Sequence, residues 1–544
     1  MPEKSKHFDI KSTENLFLHS SKEEIDLKIP LPSAEKKINE AISRLLEYCE
    51  VEVGESFSIL GIEQEYFLIN RQLALRRPDL LFTGRTVYGT NFSEKTGNQG
   101  VSSIKSSVSA YISDCEEQAA CLAVPMKTER HESFLSKYIA VSSFEKSLVA
   151  FQHNKLLKEI LHQTAARYDL AVLFHEQPFA GISGTSQFMY WSISTDAGCN
   201  LLDPKESRLV FFTLLTAVVR AVHKHGPLLL ASLSSADNDH RISEKKGAFF
   251  SAYLGEQLEK IVDDFVHERL EEKNWPQKIF SSDKNQKAFL NFDEDKFAFS
   301  ILGSVSGFAF TLAILNATIA ESLQLILDEI EGGMKNPQSL EQKCKSVFPV
   351  LRKILKEAHP MNFRREGYLE EEKKEMQIPK SYHAYEAFLN KSAVQAFDGI
   401  LSEKKLQSLY EQLTEQYAKT VRMEAAVMID LFRTQILPAS LSFQEIWARS
   451  LHAASEVGIP SQPRLLDGLS TFSELMNQAI AAMEAIERVV RQAEELGWDA
   501  KAKVFCELVV SKMEKARTLI DRLETIVDDS LWPLPKYREL LVLL

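Results

Sequence analysis

The sequence predicts an α+β fold that gives way to a wholly helical C-terminal region. Three observations carry this. The run FSILGIEQEYFLIN, from Phe57 to Asn70, is rich in aromatic and β-branched residues in rough alternation, which marks a strand. Strand and helix signals then interleave up to about residue 330, the mixture expected of a sheet with packed helices. Beyond about residue 335 the apolar residues recur almost only at helical spacing.

In chain order, residues 1–33 are polar, carry charge runs and end in the segment IPLPS, and they read as a tail leading into a helix around Ile38 to Tyr48. YDLAVLFHEQPF reads as a strand followed by a turn, and SRLVFFTLLTAVVRAVHKH as a long buried helix. KFAFSI, from Lys296, alternates as a strand does, and TLAILNATIAESLQLILDEI beyond it is a helix. Further on, Leu469, Phe472, Met476, Ala479, Met483, Ile486, Val490 and Ala493 follow steps of three and four. A second stripe comprises Cys506, Val509, Met513, Ala516, Ile520, Leu523 and Val527. Between them lies ELGWDAK with the helix-stopping Gly497, so the pair predicts a long antiparallel helical hairpin whose seam is packing core. This divides the chain into a tail (1–33), a mixed domain (34–335), a helical continuation (336–460) and a C-terminal hairpin (461–544).

Bulk properties bound the function. The chain has 544 residues, 44% of them hydrophobic and 26% charged, enough for a large core and several domains. A net charge of −12 and the lack of a basic tract argue against nucleic acid or an anionic membrane as partner, because phosphates need clustered Lys and Arg. The six cysteines never form C-x-x-C, and they read as reduced core thiols. No apolar leader opens the chain and no run of about 18 apolar residues offers a membrane span, so the expected compartment is the cytosol.

Candidate chemistry begins at Glu63 and Glu65. Two apart on a strand, their carboxylates share one face and are suited to a divalent cation; the same spacing also describes two ordinary acids on a strand edge. Glu132, in KTERHESF beside Glu129 and His131, is a third acid, in a charged cluster of the kind that commonly faces solvent.

The runs GIEQEYFLIN, LLFTGRTVYG, LFHEQPFAGISG, WSISTDAGCNLLDP and NDHRI occur in the order and spacing of the type III glutamine synthetases. LNATIAES, EQYAKTVRMEA, ILPA and WPLPKY are similar to that family too, so the resemblance spans about residue 40 to the C-terminus. It implies a glutamine synthetase catalytic fold, an antiparallel sheet with packed helices, followed by the helical extension of type III. It also implies the family's chemistry: ATP phosphorylates the side-chain carboxylate of glutamate, ammonia displaces phosphate, and two divalent ions, each with three protein ligands, stabilise the transferring phosphoryl group.

Carried over position by position, Glu63, Glu65 and Glu132 match family metal ligands. Other ligands are replaced: Ile139 stands seven residues after Glu132 where a carboxylate belongs, Phe188 three residues before Trp191 where a histidine belongs, and Ala298 and Ser300 where a glutamate and an arginine belong. Ser183-Gly184 replaces the Asn-Gly pair that cradles glutamate, with Ser186 and Gln187 in place of the next Gly and Lys. Leu230 replaces an arginine, the flap acid has no counterpart near His225 to Pro227, and Arg241 is kept. The small β-rich front domain that completes a neighbouring subunit's site in the family has no matching residues here. The expectation is therefore a catalytically silent relative, with no residue in a catalytic role, Glu63, Glu65 and Glu132 as remnants of metal sites and Gly184 and Arg241 as remnants of substrate sites. No cofactor is expected. The alternative is a ligase with residual or altered activity, which would need Mg or Mn and ATP. The expected partners are further copies of the chain or the subunit of a true synthetase.

Overall fold

The computed structural model describes residues 30–51, 54–90, 105–130, 136–182, 184–239, 250–270, 279, 288–301, 308–332, 340–358, 380–459 and 463–541. Its centre is a nine-stranded sheet. The strands are β1 (Ser56–Asn70), β2 (Lys127–Arg130), β3 (Lys137–Val141), β4 (Glu145–Lys146), β5 (Leu170–Leu173), β6 (Gln187–Thr195), β7 (Ala252–Tyr253), β8 (Leu290–Asp293) and β9 (Lys296–Ile301). The order is β2-β3-β1-β6-β9-β8-β7, with β4 and β5 also pairing with β1. Every pairing is antiparallel except that of β7 with β8. The α+β reading holds.

Helices α1 (Pro30–Tyr48) and α2 (Ser147–Ala165) pack on β1, and further helices build outward from them: α3 (Arg208–Leu233), α4 (Ala309–Gly332), α5 (Glu403–Leu431) and the hairpin arms α6 (Pro463–Ala493) and α7 (Val510–Ile526). One face of the sheet is the apolar one. Leu60, Ile62, Met189, Trp191, Phe297 and Phe299 alternate onto it and join the main core, which the buried stripes of α1, α3 and α4 complete. A polar knot fixes the register of these layers: Glu35 on α1 accepts from the Ser58 hydroxyl on β1 at 2.9 Å and from Asn316 Nδ2 on α4 at 3.0 Å, and Asn316 Oδ1 accepts from Trp191 Nε1 at 3.1 Å. Burial pushes the Glu35 carboxyl up to about 6, against the pull of the Ser58 hydrogen bonds.

Several details differ from the sequence reading. The first helix begins at Pro30, so the PLPS of the expected tail forms its opening turn; Leu31 and Ala34 are buried there, and proline is accommodated at a helix start. Helix α3 does not stop at HKH but runs through Gly226 and Pro227 to Leu233, with non-helical dihedrals at His225 (φ −116°, ψ 15°) that absorb the proline's clash. Helix α4 is long and apolar enough to cross a membrane by length and composition, contrary to the expectation that no such segment exists; it is a core helix, buried along most of its length. Among the described cysteines Cys49, Cys115 and Cys506 are buried, whereas Cys121, in the last turn of a helix, is exposed and Cys199 is half-buried.

The hairpin forms as expected. In α6 the residues Phe472, Met476, Ala479, Met483, Ile486, Val490 and Ala493 are buried against Cys506, Val509, Met513, Ala516, Ile520 and Leu523 of the return arm, while Leu469 is only half-buried. Gly497 acts as the N-cap of the returning helix Trp498–Val504 rather than as a C-terminal stop. A π-turn over Phe505–Val509 inserts a residue into that arm without breaking its seam.

The end of the chain returns to the sheet domain. Arg77 and Asp79 form a buried two-pronged ion pair (Nε to Oδ1 2.9 Å, Nη2 to Oδ2 2.5 Å), and the same guanidinium donates to the Pro535 carbonyl at 3.0 Å and the Tyr88 carbonyl at 2.6 Å. Tyr537 takes a hydrogen bond from the Ala180 amide at 3.1 Å and another from Arg517 Nη2 at 2.7 Å. WPLPKY is thereby stapled to the loops that border the candidate site.

Candidate functional site

The strand register brings the singled-out positions together. Glu63 on β1 lies opposite Val141 on β3 and Phe188 on β6, and Phe188 lies opposite Ser300 on β9. Glu65 lies opposite Ile139, and Ile139 opposite Glu129 on β2. Tyr190 sits between Gly61 and Ala298. Paired residues and residues two apart share a face, so Glu63, Glu65, Ile139, Phe188, Ala298 and Ser300 all stand on the side of the sheet turned away from the main core. Residues far apart in sequence converge on one patch. Glu132 and Arg241, together with Ser183 and His131, lie outside the described residues.

The two carboxylates are engaged by the chain itself. Glu65 is buried, and its Oε2 lies 2.8 Å from the ammonium of Lys137, which is equally buried (side-chain exposures 7% and 4%). The Ser186 amide donates to the same oxygen at 2.7 Å. Glu63 is half-buried and hydrogen-bonded to Tyr190; burial first, and this carboxylate second, raise the Tyr190 phenol far above its usual range. Phe144 covers Gly61, where a Cβ would meet its ring at 3.0 Å. Among the described residues the inner part of the patch therefore presents Glu63, Glu65 and the Lys137 ammonium, bordered by Ile139, Phe188 and Ala298, which carry no donor atom, while Glu129 and Lys127 share the face from exposed positions on β2. This donor set does not fit two three-ligand divalent cages.

The loop that the resemblance assigns to glutamate binding is tightly folded. A Cβ on Gly184 would lie 1.4 Å from the carbonyl oxygen of Glu176, the same oxygen that accepts the Thr185 amide at 3.0 Å. The Thr185 hydroxyl donates to the carbonyls of Phe174 and His175 at 2.9 and 2.8 Å. Glycine at 184 is thus required by backbone approach alone, whatever the loop binds. Ser186 and Gln187 are buried, and Leu230 lies fully inside the main core. His225 to Pro227 is helix interior: His225 is hydrogen-bonded to Glu321, whose other oxygen lies 2.6 Å from Lys224 Nζ.

A second cluster, which the sequence reading missed, joins the sheet domain to α5. His175, Asp237 and Glu424 bring one ligand-type atom each within 4.8 Å of one another. Its hydrogen bonding argues against an ion cage. His175 Nδ1 accepts the Gln177 amide at 2.9 Å, which leaves the proton of the neutral ring on Nε2, the nitrogen facing Asp237 at 3.5 Å. Arg85 grips both oxygens of Glu424 at 2.5 Å. The cluster is an ionic tie between elements. Lys137 was also missed, although it sits two residues before Ile139 on the same strand, and alternation alone places it on the face that carries Glu65.

A family model described as the glutamine synthetase C-terminal domain matches residues 346–455. Among curated proteins the chain is similar to the type-3 glutamine synthetase of Dictyostelium discoideum, 30% identical over 557 residues that cover 96% of this chain and 75% of that protein. It is 29% identical over 564 residues to a glutamine synthetase of Bacteroides fragilis (strain YCH46), covering 97% of this chain and 77% of that one. Among solved structures, one described as a novel glutamine synthase homolog is 12% identical, covers 69% of this chain and 74% of its own, and superposes with a TM-score of 0.35.

Proposed function

The chain belongs to the type III glutamine synthetase family, and from that premise we propose that it is a non-catalytic member, one that keeps the scaffold for binding, assembly or regulation and has given up the metal-dependent ligase reaction. One observation carries the reading. Glu65, the most buried of the described carboxylates that the family devotes to metal, is ion-paired to Lys137 at 2.8 Å, and the adjoining ligand positions hold Ile139, Phe188 and Ala298. Phosphoryl transfer from ATP depends on divalent charge beside the nucleotide, because positioning and electrostatic stabilisation supply nearly all of its catalysis. A patch with a single fixed ammonium and three apolar neighbours gives such ions little to hold. The partners of a silent member would be copies of itself or the subunit of an active synthetase, and its compartment the cytosol.

The competing reading is an ATP-dependent glutamate–ammonia ligase of reduced or altered activity, using Mg or Mn. Glu63 favours it: this carboxylate is only half-buried and shares its face with Glu65. The melting temperature of the full chain with and without millimolar Mg²⁺ and ATP separates the two. A ligand that binds only the native state stabilises it by mass action, by about 2.7 kcal/mol at a hundredfold excess over Kd. The silent reading expects no shift; a saturable rise that requires both Mg²⁺ and ATP supports the ligase.

A further inference from the structure

We propose that Lys137 is the resident cation of this face, a built-in ammonium that satisfies Glu65 in place of any external divalent ion. The assignment rests on the non-catalytic reading and deepens it, by naming what took over the charge balance that ions maintain in the parent chemistry.

Geometry and burial support it together. Lys137 and Glu65 stand on adjacent strands as diagonal neighbours: Lys137 is opposite Phe67, and Glu65 is opposite Ile139. Their heads meet at 2.8 Å with both side chains more than nine-tenths buried. The Ser186 amide adds a hydrogen bond to the same oxygen, so the carboxylate is held from two sides. The strand cannot slip to present another residue. Tyr138, on the opposite face of β3, stacks on Tyr66 with ring centroids 5.9 Å apart, and both belong to a separate core with Val108, Tyr111 and Leu161. A one-residue slip would exchange Tyr138 for Lys137 in that core. The charge arithmetic agrees. A divalent ion bound to Glu65 would sit within a few ångströms of the ammonium in a poorly solvated place, where like charges repel strongly. Ile139, two residues along the same strand and directly opposite Glu65, brings no charge of its own to that carboxylate.

The test uses the full chain and Mn²⁺ alone as probe. Wild type is expected to melt at the same temperature with and without millimolar Mn²⁺. Lys137→Gln is expected to melt several degrees lower and to recover part of the loss with Mn²⁺, a recovery that disappears when Glu65→Gln is added and is absent from Lys137→Arg, which keeps the charge. A Mn²⁺ shift in wild type that Glu65→Gln removes, or a folded Lys137→Gln with no Mn²⁺ response, would overturn the assignment. Should Lys137→Gln fail to fold, acetylation of wild type and Glu65→Gln mapped by mass spectrometry decides instead. Lys137 is expected to react roughly tenfold more slowly than the exposed Lys127 in wild type and to lose that protection in Glu65→Gln; equal reactivity of the two lysines in wild type overturns it. Mn²⁺ binding at Glu65 without turnover would sink the lysine assignment alone, whereas turnover would sink the non-catalytic reading beneath it.

Discussion

Gly184→Ala is expected to be the most damaging single substitution in the loop beside the candidate site, costing at least about 3 kcal/mol of stability. The reason is contact with backbone, not dihedral strain. A methyl group there would lie 1.4 Å from the Glu176 carbonyl oxygen and 2.5 Å from its carbon, and that oxygen is already held by the Thr185 amide. A flexible side chain could swing aside, but a hydrogen-bonded peptide cannot move without breaking the bonds that Thr185 makes to Phe174, His175 and Glu176. Denaturant unfolding followed by circular dichroism should show the midpoint falling with little change in slope. An alanine variant as stable as wild type would mean that the loop is not folded on Glu176 as described. The result also separates two explanations of why glycine stands there, since a purely substrate-binding glycine would tolerate a methyl group in the absence of substrate.

Arg77→Met is expected to cost on the order of 3–5 kcal/mol, the loss typical when one member of a buried ion pair is removed and the other is left behind. Asp79 is fully buried, and its carboxylate is shared between the guanidinium and the amides of Val87 (2.8 Å) and Leu80 (3.1 Å). Without Arg77 the charge keeps two amide donors and loses its counter-ion, while the carbonyls of Pro535 and Tyr88 lose their donor. Adding Asp79→Asn should recover part of the loss, because the amide oxygen can still accept from Val87 while the uncompensated charge is gone. Limited proteolysis offers a second readout: the segment around WPLPKY should become cleavable in Arg77→Met before the rest of the chain. If melting temperature and cleavage both match wild type, Arg77 does not anchor the C-terminal segment.

The two hairpin arms were legible because helical burial writes itself into local spacing. From Phe472 to Ala493, and again from Cys506 to Val527, steps of three and four pick out residues that the structure buries. Strand β1 was legible for a related reason, its aromatic and β-branched density. The convergence of Glu63, Glu65, Ile139, Phe188, Ala298 and Ser300 was not readable from any local pattern; it came from resemblance, and the register of β3, β1, β6 and β9 then placed the residues on one face. What stayed hidden were choices made by lateral pairing. Which acid Lys137 neutralises depends on how β3 docks on β1, and no periodicity within either strand encodes that docking. The passage of α3 through Gly226 and Pro227 was hidden too, because local rules end a helix there, and the burial of Leu228, Leu229 and Leu230 overrides them. The tie between Arg85, Glu424, His175 and Asp237 spans several hundred residues and carries no local mark at all.

Whether this member of the glutamine synthetase family works without the metal-dependent reaction, as proposed, is read out by γ-glutamyl transfer. The purified chain, supplied with glutamine, hydroxylamine, ADP, arsenate and Mn²⁺, is expected to form no more hydroxamate than its Glu65→Ala variant. Turnover by the wild-type chain that vanishes in Glu65→Ala would contradict the account.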